Sequence, residues 1–346
     1  MCLELKENIS LAPLTTFRIG GPARWFVEAA SEEEVAEAVR WAAERSLPLF
    51  VLGGGSNLLV ADKGFDGLIL KMGLKGLAQH GEQFRAAAGE EWDGFVTVAV
   101  ERGYQGVECL AGIPGTVGGT PVQNVGAYGQ EVSSIVERVR CFDTVERVFH
   151  EFSNHQCTFG YRSSRFNSTE RGRFIVTRVD YRLKRGGSPL ITYADLKLHF
   201  RNRRDDPSLS ETAATVRRIR LSKGMMMSES DTDCRSAGSF FKNPEVSEET
   251  ALRVRKRAVG GGLSLRTYPA GAGRVKLPAA WLIEHAGFAR GYARGPAAIS
   301  TRHTLALVNR SGATATDIEA LAEEIRAGVE ARFGIRLEME PVRVGF

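Results

Sequence analysis

An α+β protein built from more than one compact unit is the fold class this sequence predicts. Three observations predict it. The chain has 346 residues, enough for two or three separate cores. Strand-like alternation and helix-like spacing of apolar residues both recur along it. Two glycine-rich passages, each set among apolar residues, interrupt that pattern where a bound molecule would need bare backbone.

The elements follow in chain order. Arg24 to Ala29 reads as a short strand. Ser31 with Glu34 three residues later is a capping-box signature, and Val35, Val39, Ala42 and Ala43 then recur at helical spacing up to Arg45. Leu49 to Leu52 reads as a buried strand that delivers the run Gly53-Gly54-Gly55-Ser56-Asn57, and Gly67 to Met72 as another strand. Trp92 to Gly103 predicts a helix, with Phe95, Val96, Ala99 and Val100 on one side and Gly103 as its stop. The second glycine passage runs from Ala111 to Gly129, followed by strand patterns at Val136 to Phe142 and Phe174 to Leu183. Residues 185–236 are polar and charged, broken by one helix near Glu211 to Leu221, with a mobile tip expected at 223–231. A helix from Leu277 to His285 ends at Gly287, and a strand lies at Thr304 to Asn309. Thr316-Asp317-Ile318-Glu319 caps a long helix carrying Ile318, Leu321, Ile325 and Val329 on one face, and a closing strand spans Ile335 to Val344. There is no internal repeat and no low-complexity tract.

Composition excludes several classes. Hydrophobic content of 43% and charged content of 25% are those of an ordinary soluble globular chain. The first seven residues lack the basic-then-apolar pattern of a secretory signal, and no apolar run is long enough to span a membrane, so a cytoplasmic protein without membrane partners is expected. The five cysteines (Cys2, Cys109, Cys141, Cys157 and Cys234) form no CxxC pair and the six histidines no HxxxH pair, which predicts neither a disulfide framework nor a metal site. A net charge of +5 favours anionic partners. The densest basic runs, Arg201 to Arg204 and Arg217 to Arg220, read mostly as solvated faces.

The run from Gly53 to Asn57 exposes consecutive backbone N–H groups as the chain leaves a strand, an arrangement that suits a phosphate or diphosphate. It is not GxGxxG, since Leu58 and Leu59 stand where a third glycine would be. By itself it also reads as a tight turn with no ligand. The second passage interleaves glycine with Ile113, Val117, Val122 and Val125, so it predicts packed backbone rather than a linker. Two such cradles suit a long ligand with a diphosphate, such as FAD. Three polar clusters stand beside them. In Phe159-Gly160-Tyr161-Arg162-Ser163-Ser164, Arg162 can grip a carboxylate in a bidentate manner, or simply stack on Tyr161 at the surface. In Ser236 to Pro244, Ser239 is offered beside Phe240 and Phe241, with Lys242 and Asn243 as anion and amide binders, or the phenylalanines are plain core. In Leu337-Glu338-Met339-Glu340-Pro341, strand alternation would put Glu338 and Glu340 on one face, which on an edge strand needs no function.

These stretches together resemble the UDP-N-acetylenolpyruvoylglucosamine reductase (MurB) family. The likeness runs from TTFRIGGPA at Thr15 to Ala23 through GGGSN, GIPGTVGG, QNVGAYG, FGYR, SAGSFFKNP and KLPAAWLIE to Glu340, in the family's order. It implies a two-subdomain FAD-binding portion of the vanillyl-alcohol-oxidase/PCMH type, expected at residues 1–72 and 73–220, and an α+β substrate-binding domain at 221–346. The implied cofactor is non-covalent FAD across Gly53, Gly54, Gly55, Ser56, Asn57 and across Gly112, Gly115, Thr116, Gly118, Gly119, with Asn124, Gly126 and Tyr128 near its ring. The implied reaction is reduction of an enolpyruvyl UDP-sugar by NADPH in peptidoglycan synthesis. Arg162 and Glu340 are then expected at the substrate carboxylate, Ser239 as proton donor, and Tyr193, Lys223, Asn243 and His303 as substrate binders. Tyr193 points to the branch of the family with a substrate-closing tyrosine loop. The stretch from Lys223 to Ser239 is longer than the family pattern, and His303 stands where relatives can carry glutamine. A monomer that binds no nucleic acid is expected.

Two other readings remain. An oxidase or dehydrogenase of the wider FAD-domain fold often tethers its flavin through histidine or cysteine near a glycine loop, and neither residue occurs in Gly53 to Asn57 or Gly112 to Gly129. A basic nucleic-acid-binding protein would show strongly salt-dependent DNA binding and no yellow colour; the scattered charge counts against it.

Overall fold

The computed structural model describes residues 3–228, 230–260, 264–271 and 273–346. Cys2 and Glu229, the latter in the tip expected to be mobile, lie outside the described residues. The chain divides into two compact units: residues 1–10, 22–55 and 65–222 form the first, and residues 11–21, 56–64 and 223–346 the second.

In the first unit a four-stranded sheet has the order Lys6–Ser10, Pro22–Ala29, Phe65–Met72, Leu49–Leu52. Its inner pairs are parallel, with Phe26 opposite Ile69 and Val51 opposite Leu70, and the crossover between Pro22–Ala29 and Leu49–Leu52 carries the helix Glu32–Glu44. That helix buries Val35, Ala38, Val39 and Ala42. Ser31 caps it by accepting from Glu34 N at 3.2 Å, but the Glu34 carboxylate reaches back to Ala30 N at 2.7 Å rather than to Ser31 N. The capping box is therefore displaced by one residue.

A second, antiparallel sheet has the order Phe149–Ser153, Val136–Asp143, Phe174–Arg182, Gln83–Ala87, Leu77–His80. Helix Trp92–Glu101 covers it, and Phe84, Trp92, Phe95 and Tyr181 make a fully buried aromatic cluster. Gly103 follows that helix at φ +76° and donates to Val100 O, ending it as a left-handed stop. Two helices rather than one occupy the polar stretch: Ala194–Phe200 and Leu209–Ser222. The first buries only Leu196, so its amphipathic signal is weak.

In the second unit the helix Ala315–Phe333 buries Ile318, Leu321, Ile325 and Val329 against the strands Ala297–Ile299 and Leu307–Asn309. Its cap is Thr314 with Asp317 as the reciprocal partner, not Thr316 with Glu319. Asp62 explains the shift: its carboxylate accepts from Ala315 N and from the Thr316 N and Oγ1 atoms, so Thr316 already lies inside the first turn. Helix Ala279–His285 begins after Pro278, and Glu248–Gly260 is a further helix. The closing strand is Val342–Val344, parallel to Leu58–Val60. Residues 335–341 do not extend it, because Phe241 forms an antiparallel bridge with Met339 and takes that segment onto a different partner.

Candidate active site

In the first unit the two glycine passages lie directly on each other. A Cβ on Gly53 would stand 2.9 Å from Thr116 Oγ1, and one on Gly54 would fall inside the backbone of Gly115. Only hydrogen fits at Gly54. Lys71 Nζ donates to Gly53 O at 2.6 Å and anchors the first turn. The second passage is gripped at Gly112 from both sides. Its N–H donates to Asp93 Oδ1 at 2.6 Å, and its carbonyl accepts from Arg220 Nε at 2.9 Å. Arg217 braces Asp93 through Nε and Nη2, the latter at 2.8 Å. These arginines are not the solvated face their run suggests. Arg220 is buried, and that burial pushes its pKa below the ordinary value, opposed by Tyr128 and Asp93.

Asn124, Gly126, Tyr128 and Arg162 are brought together. Asn124 Nδ2 donates to Gly160 O at 2.9 Å and to Glu131 Oε2 at 3.0 Å, while its Oδ1 accepts from Ser133 N. Arg162 Nη2 donates to Gly126 O at 2.6 Å, and its guanidinium also lies 5.3 Å from the Tyr161 ring. The stacking on Tyr161 is present, and the fork is at the same time turned onto a backbone carbonyl. Asn124 (φ +46°), Tyr128 (φ +49°) and Arg162 (φ +52°) all adopt left-handed backbone, uncommon outside glycine and concentrated where function holds it in place. Tyr193, at 44% exposure, sets its ring edge-on to Tyr128 at 5.2 Å.

In the second unit Phe240 N donates to Leu305 O at 2.7 Å and Phe240 O accepts from Glu340 N at 2.9 Å. Ser239 thus immediately precedes a backbone pairing that ends at Glu340. Phe240 and Phe241 are buried core. Lys242 Nζ pairs with Glu338 Oε1 at 2.5 Å, and Glu338 is exposed. Glu338 and Glu340 do not share a strand face, since no strand forms there. Asn57 Nδ2 donates to Glu340 O at 3.4 Å, and Asn57 O accepts from Val342 N at 2.9 Å. Asn243 Oδ1 accepts from Ala279 N at 2.8 Å at the start of helix Ala279–His285, which leaves its amide N–H groups and one oxygen lone pair for other partners. His303 Nδ1 accepts from Leu305 N at 3.3 Å. Lys223 begins the segment 223–346. Ser56 belongs to this unit, whereas Gly53, Gly54 and Gly55 belong to the first.

Residues 23–150 match the family described as FAD binding domain, and residues 229–344 match UDP-N-acetylenolpyruvoylglucosamine reductase, C-terminal domain. UDP-N-acetylenolpyruvoylglucosamine reductase of Streptomyces coelicolor is 47% identical over 345 residues, covering 98% of this chain and 90% of that protein. The protein of the same name from Thermobifida fusca is 44% identical, covering 100% and 99%. The chain belongs to the UDP-N-acetylenolpyruvoylglucosamine reductase family. A crystal structure of a family member from Thermus caldophilus superposes with a TM-score of 0.66 at 26% identity, covering 99% of each chain.

Membership in this reductase family accounts for the glycine passages, but the sequence reading missed the side chains that hold them. Asp93, Arg217 and Arg220 carry no local signal, because each acts on residues far away along the chain. Among the described residues, Asp143, Glu146 and His150 bring ligand-type atoms within 4.8 Å of one another, yet both carboxylates are already paired with Arg173. No helix among the described residues is long and apolar enough to cross a membrane.

Proposed function

We propose that this chain is an FAD-dependent reductase that uses NADPH to convert the enolpyruvyl group of UDP-N-acetylglucosamine enolpyruvate into the lactyl ether of UDP-N-acetylmuramate. The observation that carries the reading is the close approach of Gly54 to Gly115 in a chain whose full length matches the family. Residues of the two passages fit the cofactor, since side-chain-free backbone packed as closely as Gly54 on Gly115 can offer its N–H groups to a diphosphate and a flat face to a ring. Gly53, Gly54, Gly55, Ser56, Asn57, Gly112, Gly115, Thr116, Gly118 and Gly119 would hold it, with Asn124, Gly126 and Tyr128 beside its ring. FAD held there would supply the hydride chemistry that links NADPH to the alkene.

The protein's own residues do the rest. Hydride arrival at the vinyl carbon pushes negative charge toward the adjacent carboxylate. Arg162 and Glu340 are assigned to that carboxylate, Arg162 directly, because its planar fork matches two oxygens. The hydrogen bond to Gly126 O aims the fork and keeps it from swinging into solvent. Ser239 is assigned as donor of the proton to the remaining carbon; a hydroxyl suffices because the carbanion is far more basic. Lys223, Asn243 and His303 are assigned to the diphosphate, and Tyr193 to closure over the sugar nucleotide. The functional division proposed is 1–72 and 73–220 for FAD and 221–346 for substrate. A nucleotide sugar and NADPH as reactants favour a cytoplasmic reaction, and the monomer expected from the sequence is to be checked by sedimentation.

The test is a visible spectrum followed by two additions. FAD-loaded protein should bleach with NADPH, and the colour should return on adding the enolpyruvyl sugar nucleotide under anaerobic conditions. A protein that cannot be loaded with FAD, or whose colour the sugar nucleotide does not restore, overturns the reading.

A further inference from the structure

Glu108 is a fully buried carboxylate held by three N–H donors. Its Oε2 accepts from Gly106 N at 2.8 Å, and its Oε1 accepts from Gln130 Nε2 at 2.7 Å and from Leu190 N at 3.0 Å. A buried carboxyl group is tolerated when its oxygens are taken by donors, and the loss of one donor leaves part of the desolvation uncompensated. The three donors come from three different segments.

Two of those segments carry the tyrosines already described. Gln130 pairs with Ala127 in the hairpin that displays Tyr128, and its Oε1 accepts from Cys109 N at 2.8 Å. Leu190 lies three residues before Tyr193, and its carbonyl accepts from Cys109 Sγ at 3.3 Å. Burial pushes the Cys109 thiol up to about 12, so its sulfur keeps the proton it donates. Both backbone polar groups of Leu190 are thus tied to residues 108 and 109. Thr192 then packs against Gly129, where a Cβ would collide with its hydroxyl. The edge-on contact of Tyr193 with Tyr128 lies beyond this joint.

We propose that Glu108 is a positioning residue for substrate closure, its carboxylate clamping the base of the tyrosine loop to the hairpin that carries Tyr128. The proposal rests on the reductase reading above and goes beyond it, because Glu108 reaches no reacting atom and acts through Leu190 and Gln130. Its larger effect is expected on the sugar-nucleotide step, because the Leu190 donor belongs to the tyrosine loop.

The experiment uses the FAD-loaded protein. Glu108→Gln keeps the shape but turns an NH2 group toward N–H donors. The two half-reactions are followed separately, with Glu108→Gln made alone and in a Tyr193→Ala background. Flavin reduction by NADPH should change less than about twofold, while KM for the sugar nucleotide rises about tenfold with kcat little changed, as for a lost charged hydrogen bond. In the Tyr193→Ala background Glu108→Gln should add nothing further, since both then act on one element. Amide exchange at Leu190 should be slow in the unaltered protein and fast in Glu108→Gln, a readout that does not depend on the reaction. Equal loss of both half-reactions, full additivity with Tyr193→Ala, or unchanged exchange at Leu190 overturns the proposal. If Glu108→Gln does not hold FAD, Cys109→Ala, which removes only the thiol donor, should speed exchange across residues 189–193 and raise the same KM about twofold; no change in either overturns it. Failure of the reductase reading itself would show in the unaltered protein.

Discussion

Arg162 donates to the carbonyl of Gly126 at 2.6 Å, and backbone geometry constrains both partners. Arg162 takes φ +52°, and a Cβ at Gly126 would press on both Glu131 and the guanidinium itself. Replacing the fork by a point charge removes one of the two directions it serves. Arg162→Lys is expected to slow reoxidation by the sugar nucleotide roughly 10²–10³-fold, the range for a lost oxyanion donor. Flavin reduction by NADPH should persist. Stopped-flow absorbance resolves the two steps, and an unchanged second step rules out the role of Arg162.

Ser239 supplies a second separation of the same kind. Ser239→Ala leaves the backbone pairing of Phe240 with Glu340 intact. The NADPH step should survive, and the sugar-nucleotide step should slow by roughly 10²–10⁴-fold, the scale of general acid catalysis. Loss of both steps in equal measure would refute the proton-donor assignment.

Gly54→Ala tests the cradle. The added methyl collides with Gly115 backbone, which cannot yield as a flexible side chain would. FAD affinity should fall by about 10- to 100-fold, the usual scale of an overpacked contact. Titration with FAD, followed by quenching of its fluorescence, measures it, and unchanged affinity would mean the two passages separate freely.

Stability at acid pH should report Asp143. Burial alone would raise its pKa, but hydrogen bonds from Arg173, Glu146 N and Val145 N outweigh it and hold the carboxyl at about 2, against an ordinary 3.8. A depressed pKa stabilises the fold above the unfolded value and loses that contribution as pH falls through the folded one. Urea midpoints should therefore drop between about pH 4 and pH 2. Asp143→Asn should be less stable at pH 7 and show a shallower drop over that window; an unaltered slope would show that the carboxylate is not what titrates.

The sequence and the structure agree where one segment explains itself. Val35, Val39 and Ala42 predict their helix, and the run of three glycines predicts backbone that must be approached closely. Agreement fails where a distant partner decides. Residues 335–341 alternate like a strand, but Phe240 and Phe241 claim their backbone. Thr316 has the look of a cap, but Asp62 draws it into the helix. Arg220 reads as one of several surface charges until Gly112, 108 residues away, appears beneath it. Residue types that bind anions are visible in a sequence. The long-range pairs that aim them are not, because no spacing along the chain encodes them.

The pairing of Leu58–Val60 with Val342–Val344 bears on how the protein is made. Asn57 and Glu340 meet across 283 residues, so the early segment emerges from the ribosome long before its neighbour exists. At bacterial elongation speeds the interval is roughly 15–60 s, during which Leu58, Leu59 and Val60 have no companion strand. Nascent chains should therefore remain protease-sensitive around residues 56–64 until Val342–Val344 has emerged to pair with them.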